Sequence, residues 1–175
     1  MAVASTILSG YTRQCGRQSG GVALVGLIPV TDVSKVTVTN GMITAITMAS
    51  GKYFKRYDSE LDQSEYKFSG SEASIQIRFN RNSAASSKAY NELVDAVGCG
   101  LLALVKMNNG ETLLLGYTEE FKDERPITSI ESDASSGKAI TDPNYHDVTL
   151  KTTQVVAPLY FSDSVDIDAL FGTAA

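Results

Sequence analysis

The amino-acid sequence predicts a mainly β, α+β protein: a β-sandwich or partly closed barrel of short antiparallel strands with one flanking α-helix at about 84–97. Three observations carry that expectation. The apolar runs are short and are bounded by glycine, proline and polar turn residues. Two Asn-Gly pairs, Asn40-Gly41 and Asn109-Gly110, each sit between apolar segments, which is hairpin chemistry. Only the stretch after Asn82 repeats apolar residues at helical spacing over several turns.

In chain order, residues 1–20 are rich in serine, glycine and polar residues, with Arg13 and Arg17 as their only charges, and read as an N-terminal arm. Val22 to Ile28 is an apolar run that predicts a buried strand, ended at Pro29 because proline donates no ladder hydrogen bond. Val36–Thr39 and Met42–Ile46 flank Asn40-Gly41 and predict a hairpin; Tyr53–Tyr57 reads as the next strand. Asp58 to Lys67 is charged and lacks an apolar period, which suits either a long solvent-facing loop or the extension of a hairpin. Ile75-Gln76-Ile77-Arg78-Phe79 alternates apolar and polar, the pattern of a half-exposed strand.

The central stretch runs from Asn82 to Thr118. Asn82 and Ser83 are candidate helix caps, because their side chains accept a backbone N–H bond. Tyr90, Leu93, Val94 and Val97 then fall on one helical face, and Gly98 is placed to take a positive φ just past the helix end. Leu101–Val105 predicts a buried strand, Asn109-Gly110 a two-residue type I′ turn, and Thr112–Leu115 the returning strand. The helix is expected to lie against this hairpin. Beyond it come a charged segment, Glu119 to Arg125, a strand at Ile127–Glu131, and loop chemistry at Ala134–Gly137 and Asp142–Asn144. Val148–Thr152 and Val155–Phe161 read as closing strands, with Pro158 suggesting an edge position, and 162–175 as a flexible acidic tail. The chain is expected to be a single domain over 1–175 with roughly eight or nine short strands.

Composition narrows the function classes. The formal net charge is −5 and the isoelectric point about 4.9, which argues against binding nucleic acid by neutralising phosphates. No apolar run approaches the length of a membrane span, and Met1–Gly10 has no basic residue ahead of its weak apolar patch, so it does not read as a signal peptide. Cys15 and Cys99 fit no CxxC pattern; free thiols in a cytoplasmic setting are the simpler reading, a disulfide the other.

The residues that could carry chemistry are few. His146, the single histidine, neighbours Asp147, but adjacent strand residues point to opposite faces, so a structural or surface role is expected. Cys99 precedes an apolar run and reads as a buried structural thiol. Asp163, Asp166 and Asp168 would hold a hard cation only if the tail folded around it; a solvated acidic tail is the simpler reading. Gly16, Gly20 and Gly21 match no phosphate-loop spacing. Tyr53, Phe54 and Tyr57 suit core and edge positions of one strand better than a carbohydrate-stacking face. The expectation is therefore no catalytic, cofactor or metal residue, and no enzyme.

Several stretches together carry a resemblance. They are Cys15 with Gly20-Gly21-Val22 and Leu27, then Asp32-Val33, Gly41 to Phe54, Leu101 to Gly116 with Asn108-Asn109-Gly110 at its centre, and Ser136-Gly137 to Thr152. In these the chain resembles the tail-tube-type virion proteins of phages and prophages of Bacteroidota. The charged segment Glu119–Arg125 and the tail after Phe161 depart from that pattern and leave the tube subunit open against a tail terminator or connector ring. The resemblance implies a homo-oligomeric, commonly hexameric ring whose β-sheets join around a lumen, stacked with itself and with other virion tail proteins. It also implies assembly in the bacterial cytoplasm and passive contact with genomic DNA at most. A monomeric carbohydrate- or receptor-binding β-sandwich is the alternative from a different class.

Overall fold

The computed structural model describes residues 10–13, 15, 19–122 and 124–172. Eleven strands and one α-helix are present among them. The strands are β1 (Val22–Pro29), β2 (Val33–Thr39), β3 (Met42–Met48), β4 (Lys55–Tyr57), β5 (Glu65–Ser69), β6 (Glu72–Phe79), β7 (Leu101–Met107), β8 (Thr112–Leu115), β9 (Ser129–Ser135), β10 (Tyr145–Thr153) and β11 (Leu159–Phe161); helix α1 spans Ala84–Val97. They form a seven-stranded sheet in the order β2-β3-β11-β8-β7-β1-β4 and a four-stranded sheet in the order β5-β6-β10-β9. Neither sheet closes into a barrel, so the fold is the mainly β sandwich with one helix that the sequence predicts.

Hydrophobic patterning explains how the layers stack. On the four-stranded sheet Ala73, Ile75 and Ile77 of β6 and Val148 and Leu150 of β10 point inward. They meet Val25, Leu27, Ala103, Val105, Leu113 and Leu115 of the large sheet, with Leu93 and Val97 of α1 packed into the same cluster. Residues of opposite parity, including Ile28, Leu102, Leu104 and Leu114, face the other way and join Ile43, Phe54, Tyr117, Phe161 and Leu170 in a second cluster. The central strand β7 is thus buried on both faces, which is why Leu101–Val105 shows no alternation. Each large apolar side chain removed from water there contributes about 1.5–3 kcal/mol.

The helix starts where the sequence predicts. The Ser83 hydroxyl accepts from the Ser86 N–H at 3.2 Å, and the Ser86 hydroxyl accepts from the Ser83 N–H at 3.0 Å, a reciprocal cap. Its buried face is narrower than the spacing suggests: Leu93 and Val97 are buried, Tyr90 is half-buried and Val94 is exposed. Its end is also different. Gly98 keeps a helical φ of −61°, and the turn continues through Cys99 and Gly100, whose N–H groups donate to Ala96 and Val97. Gly100 is the residue with positive φ, +92°, and a Cβ there would lie 2.6 Å from Pro126.

The two Asn-Gly pairs resolve into different turns. Asn40 and Gly41 have φ of 53° and 76°, the two-residue type I′ hairpin. At the second pair Gly110 has φ 96° but Asn109 is not positive; the closing bond runs from the Met107 N–H to the Glu111 carbonyl, so the loop is the three residues Asn108-Asn109-Gly110. The expected type I′ turn at Asn109-Gly110 is therefore corrected to the three-residue form with glycine in the left-handed position.

Other boundaries move for tertiary reasons. The expected strand at Tyr53–Tyr57 shortens to Lys55–Tyr57. Asp58–Ser64 is loop, but Glu65 begins β5 and takes the hairpin alternative. The strand expected at Ile127–Glu131 begins at Ser129 and runs through Ala134 and Ser135, which were expected in a loop. β11 is not an edge strand: it lies parallel to β3 and antiparallel to β8, in the middle of the large sheet. The segment after it folds over the second cluster, where Leu170 is buried and Phe171 packs against Phe54, so 162–172 is not a solvated tail. Gly26 permits this cover, since a Cβ on it would fall 2.6 Å from the Phe171 ring. Residues 173–175 and most of the expected N-terminal arm, 1–9, 14 and 16–18, lie outside the described residues.

Candidate functional site

The surface with the most organised chemistry is the outer face of the four-stranded sheet. Register places β5, β6, β10 and β9 side by side with matched parity, so Lys67, Ser74, Lys151 and Ser129 form one row across the sheet. Glu65, Gln76, Thr149 and Glu131 form the next. Arg78, Asp147 and Asp133 form a third. Every one of these positions is polar because the opposite parity is committed to the core.

Charge on this face is paired but unbalanced. The Arg78 guanidinium donates from Nε to Asp147 Oδ1 at 2.6 Å and from Nη2 to Oδ2 at 2.9 Å, a two-point contact that fixes the two groups against each other. The hydrogen bond to Asp147 strengthens proton retention by Arg78, and its guanidinium also lies 4.4 Å over the Tyr145 ring. Lys151 reaches Glu131 at 3.2 Å and Glu72 at 3.8 Å. Five carboxylates (Glu65, Glu72, Glu131, Asp133, Asp147) stand against three cations (Lys67, Arg78, Lys151), leaving the face net negative.

Among the described residues neither edge strand of this sheet has a strand on its outer side: β5 pairs only with β6 and β9 only with β10, neither ladder contains a register shift, and α1 packs against β9. The edges of the large sheet are blunted instead: β2 carries two register shifts against β3, and β4 is three residues long. An unbulged edge presents a row of unpaired N–H and C=O groups to a partner strand.

The individual candidates do not converge. His146 points inward, between the rings of Phe79 and Tyr90, with Nε2 3.3 Å from the Ser132 hydroxyl. Asp147 points outward to Arg78, so the neighbouring pair is split by the sheet, as strand geometry requires. Cys99 is exposed rather than buried, carried out by the turn between Gly98 and Gly100; Cys15 is exposed as well, and both thiols are free. Asp166 accepts from the N–H groups of Asp168 and Ala169, which caps the last turn of chain. No group of three His, Cys, Asp or Glu suited to a metal ion is present among the described residues. Phe54 is buried, while Tyr53 and Tyr57 line a cleft of about 330 Å³ beside α1, so the three aromatics share no common face. Gly20 anchors the chain through its carbonyl, which accepts from Asn108 Nδ2 at 2.8 Å; Gly16 lies outside the described residues.

No single residue announced this face in the sequence. Its signal is distributed over alternating positions in four strands, of which β5 reads as a charged loop or hairpin extension and the end of β9 as a loop. Comparison with family models, with curated proteins and with solved structures found no match to this chain.

Proposed function

We propose that the protein is a subunit of a homo-oligomeric ring in a phage tail, the tail tube or a related terminator or connector ring, and that the ring conducts DNA passively. The observation that supports this reading is the four-stranded sheet, whose two edge strands are unbulged and have no outer strand partner among the described residues. Joining β5 of one copy to β9 of the next is a head-to-tail contact, and head-to-tail contacts close into rings when the rotation allows. Strands paired in this way hide the edges that would otherwise recruit aggregates.

The charge agrees with a conduit. A polar face of net negative sign repels phosphates, so a strand passing along it is not held. The chain would supply the wall rather than chemistry, in association with other tail proteins of the virion.

Native mass spectrometry of the purified chain tests the reading. A closed multiple of the 18.7 kDa subunit, hexameric in the simplest case, is expected. A monomer at every concentration would exclude it and return the monomeric binding-module alternative.

A further inference from the structure

We propose that the C-terminal segment Leu159–Gly172 is an exchangeable strand. In the assembled protein it leaves its own sheet and fills the same slot, between β3 and β8, of a neighbouring copy. The inference rests on the ring reading, in that it takes the partner to be a second copy of this chain.

The slot comes first. β3 and β8 do not pair with each other; among the described residues β11 alone joins the β2-β3 hairpin to the rest of the large sheet. Tyr160 lies opposite Met42 on one side and Leu113 on the other, and Phe161 is buried beside Ile43. The last strand of the chain therefore completes the middle of a sheet. A copy whose segment has left exposes two open strand edges that fit one sequence, that of an identical copy.

The hinge, 154–158, makes departure inexpensive. Gln154 is 1% exposed; its backbone N–H donates to the Ser71 carbonyl at 2.8 Å, but among the described residues neither atom of its side-chain amide has a hydrogen-bond partner. A buried amide in that condition is a penalty of the closed form. Val155 and Val156 follow, 67% and 46% exposed, in a bend. The hinge holds no glycine, asparagine or aspartate, the residues that favour tight turns, and its β-branched pair prefers extended chain. Opening the hinge straightens Val155-Val156 and, where it also releases the Gln154 N–H from Ser71, hydrates the Gln154 amide. The contacts of β11 are the same in either copy, so exchange loses none of them.

The test places cysteines at the paired positions Met42 and Tyr160 in a full-length chain whose native thiols are removed (C15S/C99S/M42C/Y160C). The assembled protein is oxidised and run without reductant. Exchange predicts a ladder of covalently linked multimers that reductant collapses to monomer. An intrachain-linked monomer recovered from intact rings overturns the exchange and leaves the ring reading standing; a chain that never assembles removes both. Should the double variant fail to fold, copies carrying M42C alone are co-expressed with copies carrying Y160C alone. Any disulfide between the M42C and Y160C positions, identified by peptide mass, then joins two copies. Its appearance supports exchange, and its absence from assembled protein overturns it.

Discussion

Gly110 shows how much a single backbone angle decides. Its φ of 96° lies where only glycine is comfortable, and among the described residues nothing stands within 4 Å of an added Cβ, so a substitution meets strain rather than a clash. Gly110→Val should lower folding stability by about 1–3 kcal/mol, read as a fall in Tm, and an unchanged Tm would contradict the turn assignment. Three tyrosines give a second prediction. Burial raises the hydroxyl pKa of Tyr57, Tyr66 and Tyr160 above 10.0, with Glu92, Tyr160 and Glu111 adding to the respective shifts, and Tyr66 reaches about 12. A raised folded-state pKa contributes stability that is complete below the unfolded value and lost as pH rises through the folded one. The fold should therefore weaken from pH 10 upward, and an absorbance titration should show a late phenolate fraction that disappears in denaturant. All eight tyrosines ionising together near pH 10 would oppose this. The residue scale is also where the sequence was hardest to read. Asn40-Gly41 and Asn109-Gly110 are the same letters, but the Met107–Glu111 pairing makes the second loop one residue longer. Cys99 looked buried beside an apolar run until the chain between Gly98 and Gly100 turned it outward.

Among the elements, α1 was the most legible, because cap and periodicity are local and agree. Removing the cap by Ser83→Ala should cost about 1 kcal/mol in chemical denaturation, since the Ser86 N–H loses its acceptor. A midpoint equal to that of the wild type would mean the reciprocal serine pair is dispensable. β7 and β8 were legible for a similar reason: a five-residue apolar run has few other homes. β5 was not. Its outward residues Glu65 and Lys67 give it the composition of a loop, and only pairing with β6 shows that Tyr66 and Phe68 face the core. β11 was misplaced because Pro158 marks where a strand begins, whereas its position between β3 and β8 depends on contacts with residues far away in sequence. The candidate face has the same character. It exists only through the register of four strands, and no window of sequence contains it.

For the whole molecule, the proposed ring makes the sign of its field on DNA the central quantity. Six copies at −5 would carry about −30 per ring, and low-dielectric walls concentrate that field on the lumen. Binding to double-stranded DNA should be absent even at about 20 mM salt, where phosphate attraction is strongest. An anisotropy titration is expected to stay flat, and salt-sensitive binding would reveal a basic face opposed to a passive conduit. The unbulged edges of β5 and β9 carry the more direct prediction, because the proposed ring joins its copies through them. Electron cryomicroscopy of the assembled protein measures that contact. The proposed ring should show a sheet that continues without a break across each subunit boundary, with β5 of one copy hydrogen-bonded to β9 of the next and the face bearing Arg78 and Asp147 turned toward the lumen. Rings joined through β2 or β4, with β5 and β9 left in solvent, would contradict it.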